Sequence, residues 1–171
     1  MKTVKVNVYK FSELSEQAKE KARNWWREGG LDYKWWNFIY DDAKRIGLKI
    51  TSFDLDRNRH AKGDFLLAAN EVAANIFKEH GEQCETYKTA TQFMEEWQPV
   101  FNDYMDENGV NYESEMLEGH LMELEEEFLS SLLEDYSIML QNEYEYMCSD
   151  EYVNEAITIN EYDFTEDGSI F

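Results

Sequence analysis

The clearest pattern in the chain is a helical repeat of apolar residues between positions 112 and about 148. Apolar side chains recur there at intervals of three and four residues, which is the spacing of one face of an α-helix. The pattern predicts one long helix whose apolar face is buried against the rest of the protein. The predicted stripe consists of Leu117, Leu121, Leu124, Phe128, Leu132 and Met139, with Asp135 as its one polar interruption.

Five shorter segments also show helical periodicity, and capping or stop residues mark most of their ends. Pro99 falls inside one of them and is expected to kink or divide that helix, because proline has no backbone N–H to donate. The predicted helices are a first one that follows an N-cap at Ser12 or Ser15 and ends near Glu28, then residues 33–46 after a cap at Asp32, 65–80, 85–105 and 151–157.

Alternation of apolar and polar residues predicts strands at positions 4–11 and 48–55, and residues 159–165 are a third candidate strand. A polar and basic loop is expected at 56–63, and Glu166-Asp167-Gly168 is typical of a hairpin turn. Few strands among many helices predict an α+β fold, in which a small antiparallel sheet of about three strands is covered by a dominant helical layer that includes the long acidic helix. A chain of 171 residues fits a single domain, 1–171.

Charge is distributed very unevenly between the two halves of the chain. Residues 1–81 contain 15 Lys and Arg and 12 Asp and Glu, a near-neutral balance of +3, whereas residues 82–171 contain 25 acids and one base, Lys88, a balance of −24. Like charges at this density repel one another and lower the stability of the folded state, while they attract cationic partners. Two interpretations stay open: an acidic face that serves only solubility, and a surface that binds a basic molecule.

The composition still predicts a folded protein, because 43% of the residues are hydrophobic and 15% are aromatic. The two cysteines, Cys84 and Cys148, are far apart in the sequence, and the chain shows no signal peptide and no apolar run of ~18 residues. We therefore expect a protein of a reducing compartment, and specifically of the host cell cytoplasm once the context given below is taken into account.

Motifs for catalysis and cofactor binding are not evident. The segment Asp54-Leu55-Asp56-Arg57-Asn58 begins like a calcium loop, but Arg59 and Phe65 occupy positions at which that loop requires Gly and Glu, so a turn with local hydrogen bonds is predicted instead. The three histidines lie in separate segments without a metal-ligand spacing. Carboxylates of the 54–64 segment beside Lys62 are the best remaining candidates for a magnesium site, a pattern that is common in a chain with 37 acids. We expect no catalytic residues, no metal, no cofactor and no enzymatic activity.

Several segments resemble a group of small proteins of phages and prophages, some of which are described as antitoxin-like. The resemblance is found in YKFSELSEQAKEKAR at 9–23, LDYKWW at 31–36, HGEQCETYK at 80–88, EYEY at 143–146 and NEYDFTEDG at 160–168, so it covers most of the chain. It implies the context of a phage in its bacterial host, and it brings no catalytic residues.

In this context the first functional hypothesis is a phage-encoded binding inhibitor. Carboxylates one helical turn apart are ~5 to 6 Å from one another, close to the separation of successive phosphates along a nucleic-acid strand, roughly 6 to 7 Å. The acidic helix would thus occupy the basic nucleic-acid-binding groove of a host CRISPR effector or restriction enzyme, as an anti-CRISPR or antirestriction protein. It would bind neither nucleic acid nor membrane. The predicted contacts are Glu118, Glu123, Glu126, Glu127, Glu134, Glu143 and Glu145, with Tyr136, Tyr144, Tyr146 and Tyr152 as aromatic anchors.

The alternative hypothesis is an antitoxin-like or structural interaction module. Here the long helix would pair with a partner, or with a second copy in a homodimer, through an apolar seam, and its acids would be incidental. Candidate seam residues are Leu129, Leu133, Ile138 and Leu140. The basic loop from Arg57 to Lys62 is left open as a different binding site.

Overall fold

The structure is a computed structural model, and it describes residues 6–31, 33–106 and 112–171. Within these residues helices dominate, and the strands are short. The elements in chain order are β1 (Tyr9–Lys10), a 3₁₀ turn (Phe11–Glu13), α1 (Glu16–Gly29), α2 (Asn37–Ile46), β2 (Leu48–Asp54), β3 (His60–Phe65), α3 (Ala69–Glu79), α4 (Glu85–Asp106), α5 (Tyr112–Met147), α6 (Asp150–Ile159) and β4 (Asp163–Phe164).

The α+β class with a dominant helical part is confirmed, and the strands are antiparallel as expected. They form two separate two-stranded sheets, β1 with β4 and β2 with β3, where sequence analysis predicted about three strands in one sheet. The additional strand is β3, which occupies part of the segment expected to be a loop. None of its six residues is β-branched and three of them are polar, so its extended conformation follows from hydrogen bonding to β2, which contains the buried residues Leu48 and Ile50.

The chain forms two compact units, and the prediction of a single domain stays a prediction. The first unit comprises residues 1–35 and 142–171. In it α1 packs on α6, and β1 pairs with β4 so that Tyr9 lies opposite Phe164. Ser15 accepts a hydrogen bond from the backbone N–H of Ala18 and caps α1. The core of this unit consists of Phe11, Leu14, Ala18, Ala22, Trp26, Val153, Ile157 and Phe164.

The second unit comprises residues 36–141, and its α4 and α5 run antiparallel to each other. Thr89 near the start of α4 contacts Asp135, Phe93 stacks on Phe128 with 4.2 Å between ring centroids, and Trp97 donates a hydrogen bond to Glu125. The β2–β3 hairpin packs on α2, and α2 and α4 both pack on α3. Apolar side chains from all these elements share the core of the unit.

Several predicted boundaries differ from the observed ones. Helix α4 continues through Pro99 as one element, so Pro99 does not divide it, and the alternative of a kink there stays a prediction. Helix α2 begins at Asn37 rather than at 33, and its predicted cap, Asp32, lies outside the described residues, as do positions 4 and 5 of the predicted first strand. Helix α6 extends to Ile159, which leaves only Asp163–Phe164 for β4. No helix within the described ranges combines the length and the apolar character needed to cross a membrane.

The buried stripe of α5 departs from the predicted one in its second half. Met139 is 37% exposed, whereas Tyr136 and Leu140 are fully buried. From Leu124 onward the residues of the buried stripe are spaced by four. At ~100° per residue, each step of four positions moves the buried stripe by about 40° around the helix axis, so Met139 falls outside it. The residues of this stripe are Leu124, Phe128, Leu132, Tyr136 and Leu140.

A polar network is enclosed among the helices of the second unit. The Asp42 carboxylate accepts a hydrogen bond of 2.9 Å from the Tyr136 hydroxyl, pairs with Arg45, and lies 3.4 Å from Nε2 of His80. Nδ1 of His80 is 2.7 Å from the hydroxyl of the buried Thr86. The hydrogen bond with His80, together with those from Arg45 and Tyr136, outweighs burial and lowers the pKa of Asp42 to about 2. Burial, followed by the nearby Asp42 carboxylate, raises the pKa of Tyr136.

We predict that Asp42→Asn lowers the free energy of unfolding by about 2 kcal/mol near neutral pH. Because the folded pKa of about 2 lies below the ordinary value of 3.8, the stabilisation is present above about pH 4 and is lost as the pH falls through about 2. Urea unfolding of the wild-type protein and of the variant across this pH range measures the difference between their free energies of unfolding. The other acids become protonated in both proteins, so their effect cancels in this difference. Asp41→Asn, at an exposed neighbouring position, is the control and should change stability by less than about 0.5 kcal/mol. A pH-independent difference for Asp42→Asn would contradict the assignment.

A second prediction concerns Gly168 in the turn after β4. Its φ of +82° is unfavourable for other residues, and an added Cβ would collide with the backbone carbonyl of Ala18 in α1. Gly168→Ala should therefore lower the free energy of unfolding by about 1 to 3 kcal/mol. Gly29→Ala is the matched control, because an added Cβ there has no atom within 4 Å. Thermal unfolding of the two variants tests this, and equal melting temperatures would contradict it.

Candidate functional site

Exposed carboxylates are concentrated on α4 and α5 of the second unit. Lys88, near the start of α4, pairs with Glu85, and no Lys or Arg follows it in the sequence, so the rest of these two helices contains no base to balance their acids. The whole second unit contains 8 Lys and Arg against 23 Asp and Glu, a net charge of −15. We define the acidic surface as the exposed carboxylates of both helices in the second unit that form no ion pair with a described residue, Glu95, Glu96 and Asp103 of α4 and Glu115, Glu118, Glu123, Glu126 and Glu127 of α5.

Four of the predicted contact residues belong to this surface: Glu118, Glu123, Glu126 and Glu127. None of the four makes a hydrogen bond or ion pair with the described residues. At ~100° per residue Glu123 and Glu127 project within about 40° of each other, Glu126 lies about 60° from Glu123, and Glu118 lies about 140° from it. Glu123, Glu126 and Glu127 therefore form a compact group of carboxylates on about one turn of the helix.

Glu134, another predicted contact residue, is exposed but engaged. Its carboxylate pairs with Arg59, whose Nε also donates a hydrogen bond of 3.2 Å to the Ser137 hydroxyl. This pairing joins the loop before β3 to α5. Because the charge of Arg59 is paired, Arg59 is no longer a free cation of the predicted basic loop. Arg57 and Lys62 remain exposed.

The remaining two predicted contact residues, Glu143 and Glu145, lie in the last six residues of α5, which belong to the first unit. Glu143 is half-buried and Glu145 is exposed. Of the predicted aromatic anchors, Tyr144 and Tyr146 are exposed and Tyr152 is half-buried. Tyr136 is completely buried, so its assignment as an anchor is wrong. Among the candidate seam residues, Leu140 is likewise buried and the other three are half-buried.

An open cleft of about 480 Å³ lies between the start of β3 and α5. Asp135 is on its lining, half-buried, and accepts a hydrogen bond of 2.7 Å from Thr89. Burial raises the pKa of this carboxyl, the negative charges of Glu85 and Glu134 act in the same direction, and the hydrogen bond from Thr89 opposes them. The cleft is lined by His60, Ala61, Ser130, Ser131, Leu133, Glu134 and Asp135.

In the described parts of the chain, no group of three or more His, Cys, Asp or Glu side chains is arranged so that it could hold a metal ion. The calcium-like segment forms a local turn, in which Asp54 accepts a hydrogen bond from the backbone N–H of Asp56, as predicted. The predictions of no cofactor and no enzymatic activity stay predictions.

Sequence reasoning missed the carboxylates that α4 contributes. The antiparallel packing brings Glu96 of α4 and Glu127 of α5 onto the lining of one small cleft, beside Phe93 and Phe128. The absence of bases after Lys88 was the available signal, but it does not indicate which helices pack together.

Comparisons with known proteins add no relative. No protein-family model matches the chain, and neither a curated protein nor a solved structure resembles it significantly.

The group formed by Glu123, Glu126 and Glu127 allows a direct stability test. Because these carboxylates repel one another and bond to no described residue, we predict that the triple variant to Gln raises the free energy of unfolding by about 0.5 to 1 kcal/mol at low salt. High salt should remove the gain, because it screens exposed charges. Urea unfolding at two salt concentrations measures it. Glu134→Gln is the control, since it breaks the pair with Arg59 and should not stabilise. Destabilisation by the triple variant would mean that these acids stabilise the fold.

Proposed function

We propose that this protein is a binding protein whose acidic surface engages the basic, nucleic-acid-binding groove of another protein and thereby blocks it. The observation that supports the proposal best is the group of exposed carboxylates on α5, Glu118, Glu123, Glu126 and Glu127, without cationic partners among the described residues. A folded protein bears a cost for such a surface, and a partner rich in Lys and Arg removes that cost on binding.

The spacing of the carboxylates along α5 favours the same function. Glu123 and Glu127 are one helical turn apart, at ~6 Å along the axis, which approximates the interval between phosphates on one strand. Asp103 and Glu96 on the antiparallel α4 broaden the row into a surface that two helices share. Charges at such intervals are suited to a groove whose Lys and Arg side chains contact successive phosphates.

The biological setting comes from the resemblance to phage and prophage proteins. A phage gains from inhibiting host enzymes that act on its nucleic acid, so the proposed targets are CRISPR effectors and restriction enzymes, and the protein would act in the host cell cytoplasm. In this proposal the protein inhibits its target only by occupying the nucleic-acid-binding groove. No bond in the target is cleaved, and neither a metal nor a cofactor takes part.

A second candidate function is an antitoxin-like or structural interaction module. Two methionines on α5 favour it, because Met116 and Met122 are 60% and 58% exposed and stand beside the acids. Methionine is common on surfaces that bind several partners, and its flexible side chain adapts to different shapes. Such a surface suits a small basic toxin or a second copy of the chain.

The test of the first proposal is charge reversal. We predict that Glu123, Glu126 and Glu127 changed together to Lys leave the far-ultraviolet circular dichroism spectrum unchanged but abolish recovery of the target from a host lysate. The wild-type protein should retain a nucleic-acid-handling enzyme at low salt and release it as salt rises, because ion pairs between exposed charges are screened. The matched control reverses three exposed acids elsewhere, Glu28, Asp41 and Glu166, and produces the same change in net charge.

The outcomes separate the hypotheses. Loss of the target in the α5 variant but not in the control supports the proposed function. Equal loss of the target in both variants would mean that the net charge of the protein, and not the position of its acidic surface, determines binding. Recovery of only a small basic toxin, or of the protein itself, would favour the interaction module.

A further inference from the structure

Tyrosine rings are gathered at one place in the first unit, which the acidic surface does not include. The hydroxyls of Tyr33 and Tyr152 are 3.3 Å apart, and the ring of Tyr146 packs edge-to-face on that of Tyr152 with 5.4 Å between centroids. Tyr152 also packs on the buried Trp26 at 5.8 Å. We call Tyr33, Tyr146 and Tyr152 the tyrosine cluster. Its rings are held in a fixed mutual arrangement by three different parts of the unit: the segment after α1, the end of α5 and the start of α6.

Backbone and side-chain contacts support this arrangement. The Tyr33 hydroxyl contacts the sulfur of the buried Met147 at 3.6 Å, and one turn earlier on α5 Tyr144 packs against Trp35 at 5.9 Å. Ser149 caps α6 by accepting a hydrogen bond from the backbone N–H of Tyr152, which sets the position of that residue. These contacts with the rest of the first unit hold the tyrosine cluster in place.

The outer rings of the cluster are nevertheless in water, since Tyr33 is 50% exposed and Tyr146 is 53% exposed. About half of the surface of each of these side chains is therefore available for contact. Rigid exposed tyrosines present a large contact area at a small cost in conformational entropy, and for this reason they are enriched at protein interfaces.

Acidic residues lie near the cluster. The first unit contains 14 Asp and Glu and 8 Lys and Arg, and residues 142–171, which supply Tyr146 and Tyr152, contain nine of these acids and no Lys or Arg. Glu143 and Glu155 are close enough to act on the Tyr152 hydroxyl, whose pKa is raised to about 12 by the hydrogen bond with Tyr33, by burial, and by these charges. Arg27 is already paired with Asp150 and Glu20, and Lys34 is the base that stands nearest in sequence to Tyr33.

We infer that the tyrosine cluster receives an arginine side chain of a protein partner. This inference rests on the proposed function and specifies the partner's chemistry. Aromatic faces bordered by carboxylates attract a cation, and guanidinium is the cation that also stacks flat on a ring while donating hydrogen bonds to carboxylates. A lysine ammonium meets the charge requirement but does not stack. Nucleic acid would stack on the rings too, but its phosphates would be repelled by the surrounding acids.

The experiment compares two fluorescein-labelled peptides, nona-arginine and nona-lysine, in anisotropy titrations at low salt. The wild-type protein should bind nona-arginine more tightly. Tyr146→Leu keeps the charge and part of the apolar area, and we expect it to weaken nona-arginine binding by about two- to fivefold while nona-lysine binding changes little. Tyr146→Phe keeps the ring and should retain the preference for arginine. Phe38→Leu, at a similarly exposed ring in the second unit, is the matched control and should have no effect.

A different result for each variant distinguishes this inference from the proposed function. If Tyr146→Leu leaves the preference for arginine unchanged, or if Phe38→Leu reduces it equally, the inference is wrong. If the triple variant Glu123→Gln, Glu126→Gln and Glu127→Gln weakens binding of both peptides while Tyr146→Leu weakens binding of neither, the proposed function stands without this inference. Binding of neither peptide by the wild-type protein would overturn both. A dimer that Tyr146→Leu dissociates, without selective arginine binding, would assign the cluster to self-association instead.

Discussion

The ring of Phe128 stacks on Phe93 of α4 and packs at 5.5 Å from Phe65 of β3, so three elements of the second unit meet at one side chain. These contacts hold together two helices that are acidic and lack bases beyond Lys88, and whose charges favour separation. The magnitudes indicate which effect prevails. Complete burial of one large apolar side chain stabilises by about 1.5 to 3 kcal/mol, whereas a like-charge pair one turn apart on a helix costs about 0.2 to 0.5 kcal/mol. The apolar stripe of α5 therefore tolerates the acids, and the acids reduce stability without changing the fold.

In the two proposals, the two units would attract a cationic partner by different physical interactions. In the second unit the attraction is charge on a regular helical row, which acts over a distance and accelerates encounter. In the first unit it is a rigid group of rings, which acts only on contact and discriminates between shapes of cation. Salt weakens the former much more than the latter. A protein that possesses both could be attracted rapidly to many basic surfaces and yet remain longest on those that present arginine.

Sequence periodicity predicted the helices well, because each amphipathic segment is long enough for its apolar residues to recur several times. It failed where a tertiary partner decides the conformation. His60-Ala61-Lys62-Gly63-Asp64-Phe65 has the composition of a loop, and only pairing with β2 makes it a strand. The exposure of Glu118, Glu123, Glu126 and Glu127 agreed with their position off the apolar stripe. The pairing of Glu134 with Arg59, 75 residues away in sequence, and the meeting of Tyr33 with Tyr152 depend on packing that no local pattern encodes.

The absence of Lys and Arg after Lys88 also determines where trypsin and lysine-modifying enzymes can act on the chain. Trypsin cleaves only after these residues, so α5, α6 and β4, together with nearly all of α4, would remain in one fragment even if they unfolded. The same 83 residues contain no side-chain amine for acetylation or for attachment of ubiquitin. Lysine modification and tryptic cleavage are thereby confined to the first 88 residues, and digestion of the rest requires a protease of different specificity, such as one that cleaves after acidic or aromatic residues.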